Sequence, residues 1–144
     1  MTNLCKYLFT VKGVAMKRKI NELEMSWINA LLAVDFMGKD ILMNQIAESE
    51  ITVEENDAYY WMRFNIGDSK DRFPYDVRVP VIMIANQEDT APIIFLLHVI
   101  NGYVDELEIY IADLSVIDIT SIDLGNVEYN IDVAVSRRGD YDDI

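Results

Sequence analysis

Glu106 and Glu108 are the two side chains whose type and spacing come nearest to a catalytic site in this sequence. They stand two residues apart in a run that alternates like a β-strand. Both carboxylates are therefore expected on one face, about 7 Å apart on ideal strand geometry. Paired carboxylates can serve in hydrolysis or bind a divalent metal. The run from Asp105 to Glu108 is also typical of the wet face of a strand. A small enzyme or ligand-binding module that uses these carboxylates, with or without a divalent metal, is therefore the alternative function.

The sequence lacks the residues that other catalytic mechanisms require. His98 is the only histidine, and it shares one face of an apolar run with Ile94, Leu96 and Ile100. We therefore expect a buried, hydrogen-bonded histidine in the core. The single cysteine, Cys5, lies outside the predicted domain, and no G-x-S-x-G motif is present. Zinc and haem sites need more imidazole and thiolate ligands than these. The sequence predicts no catalytic residue, no metal site and no cofactor.

A binding surface is the interpretation that the remaining side chains favour. Tyr59, Trp61 and Arg63 alternate along the outer side of a predicted strand that follows an acidic turn. Aromatic anchors combined with charge are typical of interface cores. The competing interpretation is that helices cover this face and the aromatic residues are core. The predicted partner-binding residues are Glu54, Glu55, Asp57, Tyr59, Trp61, Arg63, Glu106, Glu108 and Tyr110.

The charge balance narrows the choice of partner. The chain has 25 acidic and 12 basic residues, for a formal charge of −13. Five of the basic residues and none of the acidic ones lie within residues 1–19. A surface this negative repels phosphate backbones and anionic lipids, which argues against nucleic-acid and membrane binding. A basic protein partner would be attracted to this surface. The alternative interpretation is that the negative charge only keeps the protein soluble.

Glu106 and Glu108 belong to the clearest structural signal, residues 92–112. Two apolar runs meet there at Asn101-Gly102, a pair that favours a type I′ turn because both residues tolerate a positive φ. The first run is apolar on both faces, which predicts a central strand covered on both sides. The second run alternates, which predicts one buried face and one acidic face.

Two helices are predicted ahead of the strands. Asn21 and Glu24 have the spacing of a capping box, and apolar residues at helical spacing after them, including Trp27, predict one buried stripe. Gly38 suits the C′ position of this helix. A shorter helix is predicted over residues 39–48. Its inward-facing residues are expected to be Ile41, Leu42, Gln45 and Ile46.

Further strands are predicted over residues 51–53, 58–66 and 77–85. Pro80 cannot donate a ladder hydrogen bond, so the last of these is an edge strand, contains a bulge, or begins only after Pro80. Residues 113–136 fit either short strands or a helical turn. The predicted fold class is α+β, with two N-terminal helices packed on a mostly antiparallel sheet of about five strands.

One globular domain is predicted over residues 16–136 of the 144. Lys12 interrupts the apolar run of residues 1–15 and no small-residue cleavage site follows, which argues against a secretory signal. Because residues 16–19 are typical of a cytosolic start, residues 1–15 are expected to be a leader or extension. Residues 137–144 are expected to be a polar tail. No run approaches the roughly 20 apolar residues that span a bilayer, and a single cysteine fits a reducing compartment. A cytoplasmic location is expected, and the oligomeric state is left open.

The segment GYVDELEIY, residues 102–110, resembles the C-terminal β-hairpin of the members of an uncharacterised family of small bacterial cytosolic proteins. The family pattern is LLHV-x-x-G-x-x-(D/S)-ELE-x-Y, and the similarity extends through residues 31–38 and 78–80 to most of residues 17–130. After Tyr110 the chain departs from the pattern, since residues 112–115 replace a more common Asp-Gly turn. The resemblance implies no catalytic motif, and some relatives look like immunity proteins encoded beside polymorphic toxins. The expected function is a non-enzymatic, acidic immunity-type inhibitor of a basic toxin domain.

Overall fold

The computed structural model describes residues 16–67 and 70–137, and in this part of the chain it shows two helices and seven strands. The helices are α1 (Glu22–Leu31) and α2 (Lys39–Ala47). The strands are β1 (Arg18–Lys19), β2 (Glu50–Glu55), β3 (Tyr59–Asn65), β4 (Val81–Asn86), β5 (Ile93–Ile100), β6 (Tyr103–Ile111) and β7 (Asp123–Ile131). The predicted leader and nearly all of the predicted tail lie outside the described residues.

The strands form one antiparallel sheet in the order β1-β2-β3-β6-β5-β4-β7. The α+β class is confirmed, but the prediction of about five strands was too low. The two-residue strand β1 pairs with β2, and the sequence pattern did not distinguish β7 from a helical turn. Because β1 precedes α1, the helices are also not the first elements of the described chain.

The hairpin of β5 and β6 has the predicted turn. Asn101 and Gly102 have φ values of 55° and 86°, the left-handed conformation that a type I′ turn requires at both positions. β5 lies between β6 and β4, as expected of a central strand. A register shift between His98 and Val99 accommodates an extra residue, Asp105, on β6.

Helix α1 begins with the predicted capping box. The Glu24 amide donates to Asn21 Oδ1 at 2.8 Å, and the Asn21 amide donates to Glu24 Oε1 at 3.0 Å. Trp27 is 1% exposed, and its ring contacts Tyr60 and Phe95 of the sheet. The assignment of Gly38 to the end of this helix was wrong. Helix α1 ends at Leu31, and Gly38, with a φ of 85°, immediately precedes α2.

One face of the sheet carries the core. Both helices pack on this face, where buried side chains alternate along β3, β4, β5 and β6. The strand predicted near Pro80 begins at Val81, as expected from the alternative that it begins only after Pro80. Neither helix in residues 16–67 and 70–137 is long and apolar enough to cross a membrane.

Buried Gln45 fastens α2 to the tip of the hairpin. Its Nε2 donates to the carbonyl oxygens of Asp71 and Gly102 at 2.7 and 2.9 Å, and its Oε1 accepts from the Val104 amide at 2.8 Å. The Gly102 carbonyl also accepts from the Phe73 amide at 2.8 Å. One side chain therefore fixes the turn of the hairpin, the loop before β4 and helix α2 in one arrangement.

Candidate functional site

The second face of the sheet, which we call the open face, lies opposite the core, and no described helix packs against it. Strand pairing places alternate residues of β1 to β7 on it, because directly paired residues project to the same side. Its side chains are partly or fully exposed, unlike the core residues one position away. The open face consists of Lys19, Glu50, Thr52, Glu54, Tyr59, Trp61, Arg63, Asn65, Ile82, Ile84, Ile94, Leu96, His98, Ile100, Tyr103, Glu106, Glu108, Tyr110, Glu128 and Asn130.

Seven of the nine predicted partner-binding residues meet on the open face. In β3 and β6, Tyr59 pairs with Tyr110 and Trp61 with Glu108. The rings of Tyr59 and Trp61 contact each other with centroids 4.9 Å apart. The seven residues that the structure brings together are Glu54, Tyr59, Trp61, Arg63, Glu106, Glu108 and Tyr110.

The two other predicted residues lie elsewhere. Glu55 pairs with Tyr60, so it projects to the core side of the sheet edge, and Asp57 lies in the turn between β2 and β3. The alternative that helices cover the aromatic residues does not hold for Trp61, which is 36% exposed. The helices cover only the core face, where Tyr60 and Met62 point.

The two glutamates that could support catalysis each have a partner. Arg63 Nη2 lies 3.5 Å from Glu106 Oε2, and Glu108 Oε1 accepts a hydrogen bond from His98 Nε2 at 2.9 Å. Within the described residues, no group of three or more His, Cys, Asp and Glu side chains is placed to hold a metal ion.

The prediction of a core histidine was wrong about the location of His98. Its side chain is 15% exposed and lies on the open face, and its Nδ1 has no hydrogen-bond partner. The prediction failed because β5 is apolar on both faces, which suggested that both are covered. In the structure only the face of Phe95 and Leu97 is core.

An aliphatic patch that the sequence reasoning missed completes the open face. It consists of Ile82, Ile84, Ile94 and Leu96, which are half-buried and pair across β4 and β5. Ile94 also pairs with Tyr110, so the patch is continuous with the aromatic residues. The available signal was that β4 and β5 are both apolar on both faces, while two short helices can cover only one.

Acidic side chains lie both toward the edges of the open face and within it. The open face has five glutamates, at positions 50, 54, 106, 108 and 128, against two cationic side chains, Lys19 and Arg63. Glu106 and Glu108 lie on the middle strand, β6, where Glu108 pairs with both Trp61 and Leu96. A face that combines aromatic anchors, an aliphatic patch and charge has the residue types of a protein interface. Its glutamates would favour a partner rich in lysine and arginine.

The most strongly perturbed titratable cluster lies away from the open face and has a structural role. Glu24 is fully buried and accepts two hydrogen bonds from Arg18, at 2.8 and 2.6 Å, and one from the Tyr60 hydroxyl. Burial alone would raise the pKa of Glu24, but these hydrogen bonds and the Asn21 amide outweigh it and lower the pKa. Burial and the Glu24 carboxylate raise the pKa of Tyr60. The cluster ties β1 to α1 and β3.

Comparisons of the chain with protein-family models, with curated proteins and with solved structures find no match. The resemblance described under Sequence analysis therefore stays a prediction.

Proposed function

We propose that this protein is a non-enzymatic binding protein that holds a basic partner protein on its open face. The observation that carries the proposal is the coincidence of three features on one surface. An aliphatic patch, a cluster of aromatic side chains and a set of five glutamates all lie on the face that the described helices leave uncovered.

The aromatic and aliphatic side chains would supply the binding free energy. Trp61, Tyr59 and Tyr110 are of the residue types that dominate interface energetics, and the aliphatic patch beside them would exclude water from their contacts. Seven strands at about 4.8 Å spacing give a face about 29 Å wide. That is the scale of a surface that buries about 800 Å² per partner in a standard interface.

The glutamates would act on the rate of association. A net charge of −13 produces a negative field that attracts a basic protein before contact. Salt at physiological strength screens such attraction beyond about 8 Å. The proposal therefore includes a strong dependence of the association rate on ionic strength and a weaker dependence of the dissociation rate.

The partner that we propose is a toxin domain whose basic active surface the open face covers. An acidic inhibitor would pair its glutamates with the lysine and arginine side chains of such a surface while aromatic anchors fill pockets between them. Residues 102–110 resemble an uncharacterised family, and the association of some of its members with toxins favours this partner over other basic proteins.

The experiment co-expresses the chain with the product of the open reading frame beside its gene and measures complex formation by surface plasmon resonance at several salt concentrations. We expect a 1:1 complex whose association rate falls at least tenfold between about 50 and 300 mM salt, as steered association does. A complex whose association rate is independent of salt, or no complex with a neighbouring product, would contradict the proposal.

Matched variants locate the interface. Trp61→Ala removes an anchor of the open face, whereas Val133→Ala removes an apolar side chain that is 87% exposed outside the sheet. We expect at least a tenfold loss of affinity from the first and less than a twofold change from the second. Equal effects of the two substitutions would place the interface elsewhere.

A further inference from the structure

A concave site lies at the tip of the hairpin, at the opposite end of β6 from Tyr110. It is a pocket of about 630 Å³ between the loop that precedes β4 and the turn of β5 and β6. The loop is fastened to the hairpin on both sides of the pocket. The Phe73 amide donates to the Gly102 carbonyl at 2.8 Å, and the Val99 amide donates to the Arg78 carbonyl at 2.7 Å. The pocket therefore has a fixed frame.

Two arginines line this pocket, Arg72 and Arg78. The three other arginines in residues 16–67 and 70–137 each form an ion pair, with Glu24, Glu106 and Asp35. Arg72 and Arg78 form none with any described carboxylate. In a chain with 25 acidic residues, two guanidinium groups left without such a partner at one pocket indicate a site for an external anion.

The frame also positions one of the two guanidinium groups. The side chain of Arg72 lies across Gly102, since a Cβ added to that glycine would lie 2.2 Å from Arg72 Cγ and 2.7 Å from Arg72 Nε. One carboxylate, Asp76, also lines the pocket and opposes the two positive charges. Among the side chains that line the pocket the balance is therefore one net positive charge.

The walls add an apolar component. Phe73 is buried beneath the pocket, and the half-buried ring of Tyr75 contacts it with centroids 5.3 Å apart. Ile100, which is 38% exposed, lines the opposite side. A volume of this size falls in the range of about 300–1,000 Å³ of small-molecule sites.

We propose that this pocket binds a small organic anion, whose phosphate or carboxylate group is held by Arg72 and Arg78 and whose ring-sized body lies against Tyr75. Guanidinium groups bind both oxyanions through two parallel hydrogen bonds, so both anions share this chemistry. The pocket shares only Ile100 with the open face, and its test does not require a partner protein.

The test is isothermal titration calorimetry of the whole protein with phenyl phosphate, benzoate, inorganic phosphate and benzyl alcohol at constant ionic strength. We expect saturable 1:1 binding of phenyl phosphate or benzoate, and whichever binds tighter identifies the oxyanion. Inorganic phosphate, which lacks the ring, and benzyl alcohol, which lacks the charge, are expected to bind at least tenfold more weakly. No saturable binding of either ring-bearing anion would overturn the proposal, as would inorganic phosphate binding equally well.

Three substitutions of equal charge change test the location. Arg72→Gln and Arg78→Gln are each expected to weaken binding at least tenfold, because each removes a charge-assisted pair. Arg137→Gln, on an exposed arginine paired with Asp35, is expected to change affinity less than twofold. If Arg72→Gln unfolds the protein by disturbing the contact with Gly102, Arg78→Gln alone decides. An equal loss of affinity in Arg137→Gln and Arg78→Gln would show that binding depends only on the total charge of the protein, and it would overturn the proposed site.

Discussion

Two neighbouring isoleucines on β5 give a direct test of the premise that one face of the sheet is free. Ile93 is fully buried in the core, and Ile94 is half-buried on the open face. Both are in the same central strand, so Ile93→Ala and Ile94→Ala change β-propensity equally. The difference between their free energies of unfolding therefore reports the difference between the two faces.

The magnitudes follow from the contacts. Truncating a fully buried isoleucine costs about 2–5 kcal/mol, and we take about 3 kcal/mol for Ile93. Ile94 has two cross-strand neighbours, Ile84 and Tyr110. Each such pair contributes about 0.2–1 kcal/mol, so we expect about 1 kcal/mol for Ile94. With a denaturant slope of about 2 kcal/mol per molar urea, the midpoints fall by about 1.5 and 0.5 M.

The assay is urea denaturation followed by tryptophan fluorescence at two protein concentrations tenfold apart. Unchanged slopes would confirm that only the native stability has changed. If Ile94→Ala lowers the midpoint as much as Ile93→Ala, the open face is covered in the isolated protein. That result would refute the surface on which the proposed function depends, and a concentration-dependent midpoint would identify a second copy as the cover.

Three further substitutions test the frame of the fold. Glu24→Gln should lower the free energy of unfolding by about 2 kcal/mol at pH 7. Because the folded-state pKa of Glu24 is lowered, its contribution is present above the usual value near 4.5 and is lost as the pH falls through the folded-state pKa. Urea curves of both proteins should therefore converge in acid, and a constant gap would contradict the assignment. Gln45→Met should cost about 3 kcal/mol, since it leaves the buried Val104 amide without an acceptor; a loss below 1 kcal/mol would show that water replaces the side chain. Gly102→Ala should lower the free energy of unfolding by more than about 2 kcal/mol, because the φ of Gly102 is positive and the space around its Cα is filled. Gly67→Ala is the control: no described atom lies within 4 Å of the added Cβ, so its urea curve should be nearly unchanged.

Part of the candidate site was visible in the sequence because strand alternation is a local property. Tyr59, Trp61 and Arg63 had to share a face once their segment was recognised as a strand. Their approach to Glu106, Glu108 and Tyr110 required the pairing of β3 with β6, strands about 45 residues apart in the chain. Alternation does not specify which strands become neighbours. It therefore predicted which residues of each strand share a face, but not that the two sets of residues lie side by side.

The pocket at Arg72 and Arg78 could not be found from sequence. Its walls come from an irregular loop and a turn, neither of which has a period that predicts where side chains point. The buried amide of Gln45 helps to fix this region, because it joins Gly102 and Asp71 to helix α2. A glutamine at an inward helical position predicts burial, but not which backbone groups it will bind.

The amino-acid sequence by itself determined the local elements. Asn101-Gly102 encoded the turn of the hairpin, and Asn21 with Glu24 encoded the start of α1, because both depend on backbone conformations and hydrogen bonds within four residues. Only the tertiary structure decided which face of β5 became core. Ile93 and Ile94 are chemically identical, and the strand is apolar on both sides. Two short helices have enough apolar surface to cover only one side of a seven-stranded sheet. They cover the core face, so the open face remains uncovered, and the proposed function depends on that face.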